Sequence, residues 1–252
     1  MNKTIYSFKG KLLTGLPPFW AKMLYSINHK PLLFRETKYA GIDFSVYIPH
    51  TMEANYNHGH EIGVAQRFME RYQNRENFVF WDVGSCFAYF SGMVAALNPG
   101  TQLFAFEPFV GHYMYIQKST QAGLLPQLGL IRKFVGATQT ADMITLDAFA
   151  AETHIPAPNL IKIDVDGAEM GVLDGCRETI ARHRPDFLIE LDCNRYKLTH
   201  ASLRPIIEKY FAGYQCSVLL DVHKNNTEWD QQKWDEVDIS ATVGDIYLHL
   251  YQ

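Results

Sequence analysis

The chain has 252 residues, 47% of them hydrophobic, enough for one α/β domain with a substantial core and too few for a second full domain in comfort. A formal charge of −4 and a pI near 6.2 argue against nucleic acid as a partner, because proteins that track phosphate present a net basic surface. The four cysteines, Cys86, Cys176, Cys193 and Cys216, fall in no metal-ligand spacing and read as ordinary thiols of a reducing compartment.

The overall charge hides an asymmetry. Residues 1–40 carry seven lysines and arginines against Glu36 alone, net +6, interleaved with Leu12, Leu13, Leu16, Phe19, Trp20, Met23, Leu24 and Ile27. Pro17 and Pro18 interrupt any helix there. No apolar run reaches the length of a membrane span or forms a signal-peptide core, so the chain reads as cytoplasmic. The extension over residues 1–60, helical or hairpin in character, has two readings. It makes peripheral contact with an anionic membrane surface or lipid-linked acceptor, or it is an arm packed on the core or on a second copy in a homodimer.

Residues 43–48 alternate like an edge or hairpin strand, and residues 61–72 show helical spacing through Ile62, Ala65, Phe68 and Met69. Strands and helices then trade places. The pattern predicts strand 78–83, helix 88–97, strand 102–107, helix 111–122, strand-like runs near 128–135 and 143–146, and a short helix at 147–152. Strand 160–164, helix 168–183, strand 187–191 and helix 201–210 follow. Such alternation over residues 61–252 signals a doubly wound, mostly parallel sheet. The last two strands, 216–220 and 245–250, lack a crossover helix and should pair antiparallel. The polar loop 224–236 between them reads as a surface flap or a lid.

Chemistry concentrates where the first apolar strand ends. Phe78, Val79, Phe80 and Trp81 run into Asp82, Val83, Gly84, Ser85, Cys86, Phe87 and Ala88, a strand, tight turn and helix start that lets a ligand approach backbone amides. The next strand ends in Glu107 and Pro108, which sets a carboxylate beside the turn to accept ribose hydroxyl protons. A dinucleotide site needs three glycines in this turn to admit a pyrophosphate, and only Gly84 is present. Asp82 would repel a pyrophosphate but suits the ammonium and sulfonium of S-adenosylmethionine.

In order and spacing, these blocks resemble the FkbM-type family of S-adenosylmethionine-dependent methyltransferases, from about Ile62 onward. The blocks are Trp81 to Gly84 with Tyr89, Phe90 and Ser91; Phe104 to Pro108; Thr145 to Asp147 with Phe149; and Ile161 to Glu169, then Val172 to Gly175, Arg184, Pro185 and Phe187 to Glu190. The resemblance implies a Rossmann-like class I methyltransferase sheet with an antiparallel last strand, and O-methylation of a small molecule, sugar or glycan precursor. It also implies that the turn from Asp82 to Ala88 holds the donor's methionine, that Glu107 with Pro108 and Phe109 holds its ribose, and that Asp164 to Glu169 floor the methyl-transfer region. Cys86 and Ala88 depart from the family's Asn and Gly, and a positive φ at either would weaken the cofactor site.

Transfer to an alcohol needs a base near the methyl. Asp164, Asp166 and Glu169 read as that base, as carboxylates gathering a divalent cation, or, for the last two, as helix-capping groups. Lys162 inside a central strand needs a partner, for which Glu190 is the natural choice. His60, in His58-Gly59-His60-Glu61, reads as a residue lining the acceptor pocket or a solvated one. Three classes stay open: a methyltransferase, a non-catalytic member of the same fold acting as a scaffold, and a nucleotide-dependent oxidoreductase.

Overall fold

The computed structural model describes residues 30–36, 42–57, 61–153, 155–192, 200–219, 231–233 and 245–252. A hairpin opens it: β1 (Pro31–Glu36) pairs antiparallel with β2 (Phe44–Pro49). Helices α1 (Glu53–Asn57) and α2 (Ile62–Tyr72) lead to β3 (Val79–Val83), α3 (Tyr89–Leu97), β4 (Gln102–Phe106), α4 (Val110–Gln121) and β5 (Leu128–Ile131). After β6 (Phe134–Val135), β7 (Met143–Ile144) and α5 (Leu146–Thr153) come β8 (Leu160–Ile163), α6 (Glu169–Asp174), α7 (Arg177–His183) and β9 (Asp186–Asp192). The last elements are α8 (His200–Tyr210), β10 (Gln215–Leu219), β11 (Gln231–Lys233) and β12 (Asp245–Tyr251).

Eight strands form one sheet in the order β11-β10-β12-β9-β8-β3-β4-β5. From β9 to β5 all neighbours are parallel, whereas β12 runs antiparallel to both β9 and β10. The chain leaves β3 toward β4 and β5, then returns to place β8 on the other side of β3. This reversal opens a crevice at the carboxyl ends of β3 and β8, where open α/β sheets bind ligands. Every residue of β3 and β8 is buried, as expected of parallel strands covered on both faces.

Two apolar layers cover the sheet. On one face Phe80, Leu103, Leu160 and Leu188 pack with α2, α3 and the opening hairpin, whose Val46 and Ile48 are fully buried. On the other, Trp81, Ile161, Ile163 and Phe187 pack with α5 to α8 through Phe149, Leu173, Ile180 and Phe211. Thus the described hairpin strands and the segment after them pack into the apolar layer on one face of the sheet.

The structure corrects four readings. The helix expected over 168–183 is two helices broken at Gly175, where a Cβ would lie 2.1 Å from the Gly136 carbonyl oxygen, so the close approach of the β6 segment sets the break. Asp147 of α5 caps the second piece by accepting hydrogen bonds from the Glu178 and Thr179 amides at 3.0 and 2.8 Å. Within the polar loop 224–236 lies strand β11, held by pairing with β10 rather than by apolar pattern. Strand β1, unmarked by any signal in the basic segment, is likewise made by its partner β2. Finally, the direct partner of Lys162 is Asp164 rather than Glu190. The N-terminal segment up to residue 29, His60 and Cys193 lie outside the described residues.

Candidate functional site

The turn after β3 is left-handed at three alternate positions: Gly84 at φ 80°, Cys86 at 52° and Ala88 at 58°. Gly84 is obligatory, because a Cβ there would lie 1.7 Å from the Asp164 carbonyl oxygen at the end of β8. The turn is tied down by the Gly84 and Ser85 amides, which donate to the Phe106 carbonyl at 3.0 and 3.2 Å. Ala88 is the N-cap of α3, and its methyl is completely buried with Phe87 close by. The departures from Asn and Gly therefore fall on positions that do require positive φ, at a cost of about 1 to 2 kcal/mol per L-residue.

Glu107, 2% exposed, folds back over this turn. One carboxylate oxygen accepts the Cys86 amide at 2.9 Å and the other the Phe109 amide at 2.8 Å. Because a carboxylate offers about four lone-pair positions, each oxygen retains capacity for a hydroxyl donor. His112 Nδ1 stands 3.5 Å from Glu107. Burial pushes the His112 imidazole down, but Cys86 and Glu107 facing it hold its pKa above the ordinary value. Burial pushes the Cys86 thiol up, with His112 opposing.

Strand pleating places Asp82 and Lys162 side by side on one sheet face, and Asp164, Glu190 and Tyr247 one step closer to the carboxyl edge. Asp82 is 1% exposed; Ser91 Oγ donates to its Oδ2 at 2.7 Å, while Oδ1 has no partner among the described residues. Burial raises the Asp82 pKa, with Lys162 and Ser91 opposing. Lys162, 2% exposed, donates to Asp164 Oδ2 at 2.8 Å and lies 4.8 Å from the Phe90 ring centroid. Burial pushes Lys162 down, but Asp164, then Glu61, Asp82 and Glu190, hold its pKa above the ordinary lysine value. From the other side Glu61, the N-cap of α2, accepts the Tyr247 hydroxyl at 2.8 Å.

The acidic residues after β8 diverge. Asp164 stands at the mouth with its side chain 27% exposed, Asp166 is exposed at φ 53°, and Glu169 is buried. Glu169 accepts the Gly167 amide at 2.8 Å, and its burial raises its pKa. Pro108 and Phe109 follow Glu107 on the far side of the turn, where Phe109 begins α4. Sequence reasoning passed over Glu61, Glu190 as a site residue, Tyr247 and His112. Only Glu61 carried a signal, its place beside two histidines before a helix.

Residues 93–216 match the family described as the methyltransferase FkbM domain. The chain carries an FkbM methyltransferase domain. No curated protein sequence matches the chain significantly. Among solved structures, an S-adenosylmethionine-dependent methyltransferase from Agrobacterium tumefaciens is similar with a TM-score of 0.52 at 8% identity, over 87% of this chain and 70% of that one. A methyltransferase FkbM from Methylobacillus flagellatus matches with a TM-score of 0.48 at 17% identity, over 80% of this chain and 60% of that one. A precorrin-6y C5,15-methyltransferase from Geobacter metallireducens gives 0.47 at 15%, over 76% and 87%. With the Agrobacterium tumefaciens structure as the guide, the fold of the chain is the Rossmann-like methyltransferase sheet, and the matched family implies S-adenosylmethionine. The residues present fit that donor: Glu107 keeps acceptor capacity beside the left-handed turn, and Gly84 lets the turn pass directly over Asp164.

Proposed function

We propose that the protein is an S-adenosylmethionine-dependent O-methyltransferase acting on a hydroxyl of a small molecule, sugar or glycan precursor. One observation carries this reading: the turn that would hold the donor packs against the backbone carbonyl of Asp164, the residue whose partly exposed carboxylate stands at the mouth of the crevice. When bound, the donor supplies an activated methyl group on a positively charged sulfur. The backbone of Gly84 to Ala88 and the carboxylate of Glu107 hold it. Asp164 accepts the proton of the attacking hydroxyl at its carboxylate, and Lys162 fixes that carboxylate from the buried side. Phe90 and Tyr247 set their rings against the Lys162 ammonium on the buried side of the crevice.

Calorimetry with S-adenosylmethionine tests the first half: Glu107→Ala should lose at least about tenfold in affinity, since charge-assisted ribose contacts contribute roughly 1.5 to 3 kcal/mol each. Transfer of labelled methyl to a panel of hydroxyl compounds tests the second. Asp164→Asn should retain donor binding and lose about 100-fold or more in turnover. A wild-type chain with no donor affinity would return the assignment to the scaffold reading, which the strained residues Cys86 and Ala88 favour.

A further inference from the structure

Beyond the positions filled by the Cys86 and Phe109 amides, the Glu107 carboxylate offers one further lone-pair position on each oxygen. A ribose diol needs both. The position on Oε2 is faced by His112, whose Nδ1 lies 3.5 Å away, beyond ordinary hydrogen-bond length, buried and without a partner among the described residues. The rest of the ring is not sealed: the side chain is 24% exposed, so the imidazole exchanges its proton with solvent. Cys86 faces it from the turn after β3 and Glu107 from the end of β4, while Phe87 and Phe109 meet it in T-shaped contacts at centroid distances of 4.9 and 5.9 Å. Asp164 and Tyr56 stand one step further off and act on the Cys86 thiol.

We propose that His112 is a proton-linked competitor for Glu107: the charged imidazole takes the Oε2 position that a ribose hydroxyl of the donor needs, so the donor binds with release of that proton. The competition rests on the donor site proposed above. Between the rings of Phe87 and Phe109 charge is weakly screened, and a cation 3.5 Å from Oε2 offsets the carboxylate charge that strengthens a ribose contact. The same cation repels a donor whose sulfur is positively charged. Cys86 and Glu107 hold the His112 pKa well above the ordinary histidine value, so the competing form prevails at neutral pH. Donor affinity therefore rises as pH climbs through the His112 pKa. By linkage the effect is reciprocal: the factor by which protonation weakens donor binding equals the factor by which the donor weakens proton binding. His112 acts through Glu107 and leaves the methyl-transfer step to Asp164, which makes it a positioning residue.

Two measurements on the full chain test it. Without ligand, the His112 ring proton, identified in NMR spectra by its absence from His112→Asn, is followed against pH. It should titrate above the ordinary histidine range, and Glu107→Gln should lower its pKa by at least about one unit. An unshifted value overturns the pairing. With S-adenosylmethionine, calorimetry from about pH 6 to about pH 9, in buffers of different ionisation enthalpy, should show His112→Asn binding about tenfold more tightly than wild type near pH 7 and releasing fewer protons. The gap should close as pH rises, and the donor's own ammonium titrates alike in both chains. A role in packing alone would neither tighten binding nor change the proton count. Should His112→Asn fail a near-ultraviolet circular dichroism check, His112→Gln replaces it with the same expectation. Donor affinity that is equal or weaker in the folded variant overturns the competition and leaves the donor site standing. Absence of donor affinity from both chains at every pH sinks the donor-site reading, and the competition with it.

Discussion

At Gly84 an added methyl group meets backbone, the Asp164 carbonyl oxygen at 1.7 Å and its carbon at 2.7 Å, while φ is already 80°. Neither obstacle can rotate away. Gly84→Ala is expected to destabilise the fold by more than about 3 kcal/mol, read by urea unfolding, and to abolish donor binding, read by calorimetry. Ala88 shows the opposite balance at a similar backbone angle. Removing its methyl relieves left-handed strain of about 1 to 2 kcal/mol but forfeits roughly 0.8 kcal/mol of burial. Ala88→Gly should therefore shift stability by no more than about 1 kcal/mol, whereas Ala88→Val, β-branched at φ 58° in a sealed position, should cost several times that. Thermal melts of the two variants decide, and a destabilised glycine variant would mean that packing outweighs strain. The sequence exposed the need for Gly84 and Glu107, because turn and strand-end positions are local. It could not expose Glu61 or Tyr247, which are 186 residues apart and meet through a hydrogen bond only the folded sheet permits.

Among the elements, α2 is fastened to the sheet by a buried polar chain. Arg67 Nε donates to His249 Nδ1 at 3.0 Å, which leaves the imidazole proton on Nε2 to face the Tyr72 hydroxyl at 2.7 Å. Tyr72 in turn donates to Asp186 at 2.8 Å. Every donor has an acceptor only while His249 is neutral. Burial, then Arg67 and Arg71, hold its pKa at about 2. The unfolded chain, with a histidine near 6.5, takes up the proton first, so stability is full at neutral pH and falls as pH drops below about 6.5 toward 2. Roughly 2 kcal/mol should disappear between pH 7 and pH 5. Urea unfolding at the two pH values measures it, and His249→Gln should flatten the dependence while lowering stability at pH 7; equal slopes in both proteins would refute the linkage. Helical periodicity alone located α2, because Ile62, Ala65 and Phe68 repeat within one segment. The break between α6 and α7 was illegible for the converse reason: its cause, the Gly136 carbonyl, comes from a distant strand.

For the whole molecule, the opening hairpin is the part whose standing the chain order conceals. Val46 and Ile48 are fully buried against α3 and α4, and Tyr56 is buried among the rings of Phe34, Phe87 and Tyr89. Deleting residues 1–57 should thus remove cooperative unfolding altogether, since each lost Val, Ile or Tyr buries roughly 1.5 to 3 kcal/mol of side chain. Near-ultraviolet circular dichroism and a denaturant melt check this, and a truncated chain that still melts sharply would show a self-sufficient sheet. By itself the sequence determined the alternation of elements, the mostly parallel sheet, the antiparallel pairing of the last long strands, and the strand-end turn with Glu107 beside it. Those follow from periodicity and from residues a few positions apart. Tertiary structure alone decided that Lys162 pairs with Asp164, that Cys86 and Ala88 sit at left-handed angles, and that Glu61 and Glu190 join Asp164 around Lys162. Each depends on which strands lie side by side and in what register, and a one-residue slip in that register would send every one of these side chains to the opposite face.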